Sequence, residues 1–168
     1  MTSSAPILPD VLAPRLRIVF CGTAPGTASA RAGAYYAGPG NRFWPTLHEV
    51  GLTPVLLRPA EFARLPEFGL GLTDISKTAS GSDQEVGRQG VDPARLAAAI
   101  ATASPAHLAF NGKNAARAAL GRPVDYGPQA ERIGSATVWV LPSTSGAARG
   151  FWDIEPWRNL ASAAAPDG

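Results

Sequence analysis

Five short stretches of this 168-residue chain concentrate the side chains that can do chemistry. They are Gly22-Thr23-Ala24-Pro25-Gly26, the segment from Gly33 to Trp44, the loop from Thr78 to Glu85, Asn111-Gly112-Lys113, and Pro142-Ser143-Thr144-Ser145-Gly146. Each mixes glycine, which lets a ligand approach the backbone, with hydroxyls, amides or single charges, the make-up of a cleft for a polar planar or anionic ligand. Gly22 to Gly26 lacks the Gly-Lys-Ser/Thr ending of a Walker loop and the third glycine of a dinucleotide fingerprint, which disfavours a nucleoside triphosphate. Cys21 is the single cysteine, so neither a disulfide framework nor a four-cysteine zinc or iron–sulfur site can be built within the chain. His48 and His107 are isolated and read as structural, and no metal is expected. Ser145 lacks the Gly-x-Ser-x-Gly context of a hydrolase elbow.

The elements that must carry these stretches follow from periodicity. Leu16 to Cys21 is a short run rich in β-branched and aromatic residues, stopped by Gly22, and reads as a buried strand. Gly69 to Ile75, His107 to Phe110 and Ala136 to Leu141 read as three more. Between them, Arg42 to Val50 places Phe43, Leu47 and Val50 at helical spacing, Pro93 to Ala103 opens with Asp92 as N-cap and a proline in the first turn, and Asn114 to Leu120 is an alanine-rich helix. Strands alternating with helices predict parallel βαβ units, an α/β fold of three layers with about four strands. In such a sheet ligands sit beyond the carboxyl ends of the strands, and four of the five stretches directly follow a strand.

Composition agrees. With 45% hydrophobic and 17% charged residues the chain can build a core, and its length predicts one domain over residues 1–168. The ends, about 1–9 and 161–168, are expected to fray. Residues 1–17 carry three prolines and Asp10 where a signal peptide or membrane span needs an unbroken apolar run, so a soluble cytoplasmic protein that does not engage membranes is expected. A net charge of +2 permits an anionic partner without naming one.

The twelve residues from Gly33 to Trp44 pack two tyrosines, a proline-glycine turn and Asn-Arg-Phe-Trp together, which no patterning rule requires. The array GTAPG, YYAGPGNRFW, GLTD, AFNGK and WVLPSTSGAAR resembles the mismatch-specific uracil-DNA glycosylase and thymine-DNA glycosylase family, in order, over about residues 16 to 150. That resemblance implies a uracil-DNA glycosylase-like αβα sandwich of strand order 2-1-3-4. It implies a monomer acting without cofactor on uracil, or a related lesion, flipped out of DNA.

Hydrolysis of an N-glycosidic bond builds an oxocarbenium-like sugar and an anionic base, and it needs donors at the base and a polar group for the attacking water. By resemblance, Tyr36 matches the aromatic that stacks on the base, and Thr23, Tyr36 and Ser29 match positions that read its polar edge. Asn41 matches the asparagine that fixes the pocket, and Gly22, Ala24, Pro25 and Gly26 form the first loop. Ser143, Thr144, Ser145, Gly146 and Arg149 match the loop inserted into DNA, and Lys113 is a further phosphate-contact candidate. Ala24 departs from the family, whose better-known members carry an asparagine there to orient water. Two readings stay open: a lesion-binding protein with weak or no turnover, or an enzyme in which Asp83, with Glu85 as rival, takes over the water. Asp83 also reads as an Asx-turn or helix cap, Tyr35 as a core-edge aromatic, and Asp74 as a solvated strand-end residue left out of the chemistry. Trp152 and Trp157 are expected to close the core.

Overall fold

The computed structural model describes residues 7–78, 80, 90–146, 150 and 152–165. Its elements are β1 (Ile18–Gly22), α1 (Thr27–Ala32), α2 (Phe43–Glu49), a 3₁₀ helix (Pro59–Phe68), β2 (Leu70–Asp74), α3 (Pro93–Ala103), β3 (His107–Asn111), α4 (Lys113–Leu120), β4 (Gly127–Ile133), β5 (Ala136–Leu141) and α5 (Glu155–Ala163). One five-stranded sheet runs in the order β2-β1-β3-β5-β4, with β2, β1, β3 and β5 parallel and β4 antiparallel on β5. The four predicted strands are thus the four parallel ones in the expected sequence, and β4 is an additional edge. Among the described residues no helix is long and apolar enough to cross a membrane.

The alternation along β1 divides the core. Ile18 and Phe20 face a layer made with Phe43, Trp44, Leu47, Trp157 and Leu160 from α2 and α5. Val19 and Cys21 face the other layer, with Leu96 and Ile100 from α3 and Ala115 and Ala116 from α4. A sheet buried on both sides by helices is what near-continuous apolar strands require, and every residue of β1 and β2 is buried. Alanines on α4 let that short helix lie close to the sheet. In the first layer Phe20 and Trp157 stack at 5.6 Å and Phe43 meets Phe20 edge-on at 5.3 Å. Two of the indoles buried there bond to carbonyls: Trp44 Nε1 donates to the Tyr35 carbonyl and Trp157 Nε1 to the Pro142 carbonyl, each at 3.0 Å.

Helix α3 begins as its sequence dictates, with Asp92 Oδ1 accepting from Arg95 N at 3.0 Å and Pro93 at the first position. Residues 1–6 and 166–168 lie outside the described residues, and the described residues next to them are anchored. Leu8 is buried, Val11 bridges Leu72 in antiparallel fashion, and at the other end α5 runs to Ala163 with Ala164 buried against the core. Apolar anchors at Leu8, Val11, Leu160 and Ala164 outweigh the surrounding proline, alanine and aspartate.

Candidate active site

At the carboxyl edge of the sheet the loops after β1, β3 and β5 and the tyrosine segment surround a cavity of about 910 Å³. Its wall includes Gly22 to Gly26, Ser29, Tyr36 and Asn41, then Asn111 to Lys113, and Ser143 to Gly146. The four residues expected at the base, the first loop, Lys113 and the described part of the insertion loop therefore meet in one place. Asp83, Glu85 and Arg149 lie outside the described residues.

Local hydrogen bonds explain the shape. Ile75 N and Ser76 N donate to the carbonyls of Gly22 and Thr23 at 2.9 and 2.7 Å, so the first loop is stitched to the end of β2. Space at Gly22 is tight: a Cβ there would sit 3.1 Å from Tyr36 Oη and 3.2 Å from Asp74 Oδ1. Tyr36 has φ +52°, a left-handed backbone that costs a non-glycine residue, and its half-buried ring stacks on Phe43 at 4.1 Å. Such strain turns the ring to the cavity while Tyr35 points inward, 2% exposed, its hydroxyl donating to the Pro9 carbonyl at 2.8 Å. Ser29 Oγ accepts from Ala37 N at 2.9 Å and Asn41 Oδ1 from Phe43 N at 3.0 Å, so these two side chains also fix the tyrosine segment and the start of α2.

The loop after β5 is anchored by a reciprocal pair. Asn111 Nδ2 donates to Thr144 Oγ1 at 2.9 Å, and Thr144 N donates to Asn111 Oδ1 at 3.0 Å. Arg42 N donates to the Thr144 carbonyl at 2.9 Å, and Trp157 holds the preceding Pro142. Thr144 is 1% exposed, so within this loop it serves as the pin, and the half-buried Ser143, Ser145 and Gly146 form the accessible part. Gly112, at φ +105°, lets β3 turn into α4 directly beneath Ser143. On the rim, Lys113 Nζ lies 4.5 Å from the centre of the Tyr126 ring, and Arg117 stands exposed beside it on α4.

The principal surprise is Asp74. Expected as a solvated strand end, it is 3% exposed and lies in the cavity wall. Lys77, itself 7% exposed, reaches Asp10 Oδ1 at 2.9 Å, Tyr35 Oη at 3.0 Å and Asp74 Oδ2 at the longer distance of 3.5 Å. Arg95 binds Asp10 Oδ2 at 3.0 Å and the Asp74 carbonyl at 2.7 Å, and Thr73 Oγ1 donates to Asp10 Oδ1 at 2.7 Å. Asp10 takes the close cationic contacts: burial raises its pKa, but Lys77, the Thr73 hydroxyl and Arg95 hold it below the ordinary carboxylate value. Asp74 receives less compensation, and burial pushes its carboxyl up to about 6 against the pull of Lys77. Burial, followed by the charge on Asp74, likewise raises the Tyr35 phenol and the Cys21 thiol, which stay neutral. The sequence signal for Asp74 was present in its strand-end position beside the first loop; what concealed it was the covering by Asp10 and Lys77.

His48 and His107 stay structural: His48 Nδ1 contacts the Thr53 carbonyl at 3.2 Å, and His107 Nδ1 lies 3.1 Å from Trp139 Nε1. Among the described residues no group of three or more His, Cys, Asp or Glu side chains is arranged for a metal ion.

Comparison with known proteins agrees with this architecture. The sequence pattern of the Uracil DNA glycosylase superfamily matches residues 9–160. The fold is similar to the solution NMR structure of a Methanosarcina acetivorans protein provisionally described as a uracil DNA glycosylase, with TM-score 0.59 and 23% identity over 94% of this chain and 91% of that one. The family match spans the sheet, the first loop, the tyrosine segment and the loop after β5 together, and on that ground the chain belongs to the uracil-DNA glycosylase superfamily.

Proposed function

We propose that the protein is a monofunctional DNA glycosylase that hydrolyses the N-glycosidic bond of uracil, and of related deaminated or damaged bases, flipped out of DNA, leaving an abasic site. Within the superfamily we assign it beside the mismatch-specific uracil-DNA and thymine-DNA glycosylases, with an atypical first loop. The observation that carries this reading is the meeting of the first loop, the Tyr36 segment and the loop after β5 around one cavity.

Duplex bases are closed to any such cavity, so the target nucleotide must be extruded, gripped by its face and read at its polar edge. Tyr36, stacked on Phe43, is assigned to the face, and Thr23, Ser29 and Asn41, which line the cavity, are assigned to the polar edge. Ser143, Ser145 and Gly146 are assigned to the strand break, with Arg149 and Lys113 on phosphates, contacts that position without reading sequence. In the residues from Ser143 to Ala148 small side chains replace the bulk a wedge needs, which favours broad selection of the opposite base. The protein is expected to act as a monomer.

Incubation with end-labelled uracil-containing duplex and single-stranded DNA, followed by alkaline cleavage of abasic sites, tests the reading. Strand cleavage at the uracil position is expected. Retarded but intact DNA would instead support a lesion-binding protein without turnover, the reading favoured by the methyl group of Ala24. Release of bases from free nucleosides with no salt-dependent DNA affinity would contradict both.

A further inference from the structure

We infer that the cavity holds a second nucleotide site. Tyr126, with Lys113 and Arg117, takes an unpaired neighbour of the flipped nucleotide, its base on the tyrosine ring and its backbone phosphates on the two cations, which fits the protein to single-stranded DNA. This inference rests on the glycosylase reading and adds to it the form of DNA that fills the far end of the cavity.

Three observations carry it. First, the cavity is larger than one flipped base requires. Its volume of about 910 Å³ lies near the top of the range for pockets that enclose whole drug-sized ligands, about 300–1,000 Å³, and a pyrimidine is a single ring. Second, the antiparallel edge strand builds the remaining end. Gly127 pairs with Val140, so β4 starts where its neighbours finish, at the carboxyl edge of the sheet. Tyr126, immediately before it, is thereby delivered level with the end of β5, where the loop carrying Ser143 to Gly146 departs, and Gly127, at φ +107°, makes the turn. Third, the ring stays out of the core. Among the described residues the exposed large hydrophobic side chains are Ile7, Val55, Leu56 and Tyr126, and of these Tyr126 alone lines the cavity. It belongs to neither core layer.

An accessible aromatic ring flanked by cations suits a single strand: bases of any sequence stack on the ring, while lysine and arginine follow the phosphates. Lys113 and Arg117 stand four residues apart on α4, share one face of it and both line the cavity. Lys113 Nζ rests 4.5 Å from the centre of the Tyr126 ring. A base arriving on that ring displaces the ammonium onto the phosphate beside it, so ring and cation serve one nucleotide. Among the described residues lining the cavity Asp74 is the one carboxylate, and it stands at the opposite end, on β2. The site also excludes a paired neighbour. From β1, at the base end of the cavity, to β4 are three strand spacings, about 14 Å, whereas a stacked neighbour in a duplex lies about 3.4 Å along the helix. Only a strand free to extend and unstack reaches from Tyr36 to Tyr126.

Oligonucleotides carrying one uracil, as single strands and as duplexes, test the site by equilibrium binding and single-turnover release with the full chain. Tyr126→Ala is expected to weaken single-strand binding by about fivefold or more, the scale of one base stacked on an aromatic ring. Duplex binding and release stay within about twofold of the parent, the scatter between uncoupled sites, and Tyr126→Phe, which keeps the ring, matches the parent on both forms. Arg117→Gln lowers the slope of log affinity against log salt on single strands by about 0.7, the share of one phosphate. The parent protein supplies a measurement that needs no variant: replacing the bases that flank uracil with base-free spacers weakens single-strand binding by the same factor as Tyr126→Ala, and weakens Tyr126→Ala no further. Parent-like single-strand affinity in Tyr126→Ala, an equal loss on duplex, or indifference of the parent to the flanking bases overturns the inference. A parent protein that binds single strands through Tyr126 yet releases no uracil overturns the glycosylase reading and leaves the second site standing.

Discussion

The aromatic layer beneath α2 and α5 and the cavity wall at the end of β2 share residues of one short segment, yet they obey opposite rules. In the aromatic layer each buried polar atom discussed above has a partner: Trp44 and Trp157 donate to carbonyls, and Phe20, Phe43 and Trp157 meet in favourable ring geometries. At the cavity wall Tyr36 is held in a left-handed backbone, Asp74 is buried with an oxygen lacking a hydrogen bond, and Lys77 is buried among two acids and a phenol. Tyr35 and Tyr36 mark the border, one buried in the core and the other turned to the cavity. Strain and incomplete compensation concentrated in one wall, beside a core whose buried indoles are hydrogen-bonded, are the physical mark of a site built for a ligand.

That contrast breaks most severely at Trp157. Trp157→Ala removes a fully buried indole and its bond to Pro142, and is expected to cost about 3–5 kcal/mol, measured by urea denaturation. Because Pro142 leads into the loop after β5, uracil release should fall as well, through loss of loop order. If the stability loss were under about 1 kcal/mol, the aromatic layer would not be the anchor described here.

Tyr36→Ala sharpens the contrast from the other side. It should weaken binding of a uracil-containing oligonucleotide by about 1–3 kcal/mol, the range for base stacking on an aromatic ring, with a melting temperature changed far less than in Trp157→Ala. Unchanged binding would return Tyr36 to a packing role against Phe43.

Asp74→Asn tests the incomplete compensation of the cavity wall. The folded carboxyl titrates near 6 against an ordinary value of 3.8. Between those values the folded protein keeps a proton that the unfolded chain has released, so stability falls as pH rises through the window and the penalty is fully present above it. Removing the charge is therefore expected to stabilise the fold at pH 7.5 by about 1–2 kcal/mol, partly offset by the weakened setting of Lys77, with the gain vanishing toward pH 4. A lower melting temperature at pH 7.5 would mean that the Asp74–Lys77 ion pair is chiefly structural.

The smallest effect is expected far from the cavity. Asp92→Ala removes the N-cap of α3 and should cost about 1 kcal/mol by denaturation while leaving uracil release unchanged.

The legible features of the sequence are those with local causes. Ile18 to Cys21 reads as an inner strand because β-branched and aromatic residues end at a glycine, and α3 reads from Asp92-Pro93 to Ala103 because cap, proline and apolar spacing coincide. The family array likewise identifies the cavity, since its members lie on loops that a parallel sheet must gather at one edge. Strand β4 escaped because Gly-Pro-Gln-Ala-Glu-Arg-Ile alternates half-buried and exposed residues without a β-branched run, and its pairing is supplied by β5. Thr144 and Asp74 escaped for a different reason. Each has partners distant in sequence, Asn111 for the side chain of the first and Arg95 for the carbonyl of the second, and such contacts leave no local pattern. Asp83, favoured by its acidic loop with Glu85 as its rival, lies outside the described residues.

A crystal structure of Asp74→Asn bound to a uracil-containing duplex examines the whole scheme at once. The expected result is an extruded uracil stacked on Tyr36, with the Ser143 to Gly146 loop at the vacated position. Uracil left stacked in the helix, or DNA bound on a face away from Gly22 and Tyr36, would contradict it.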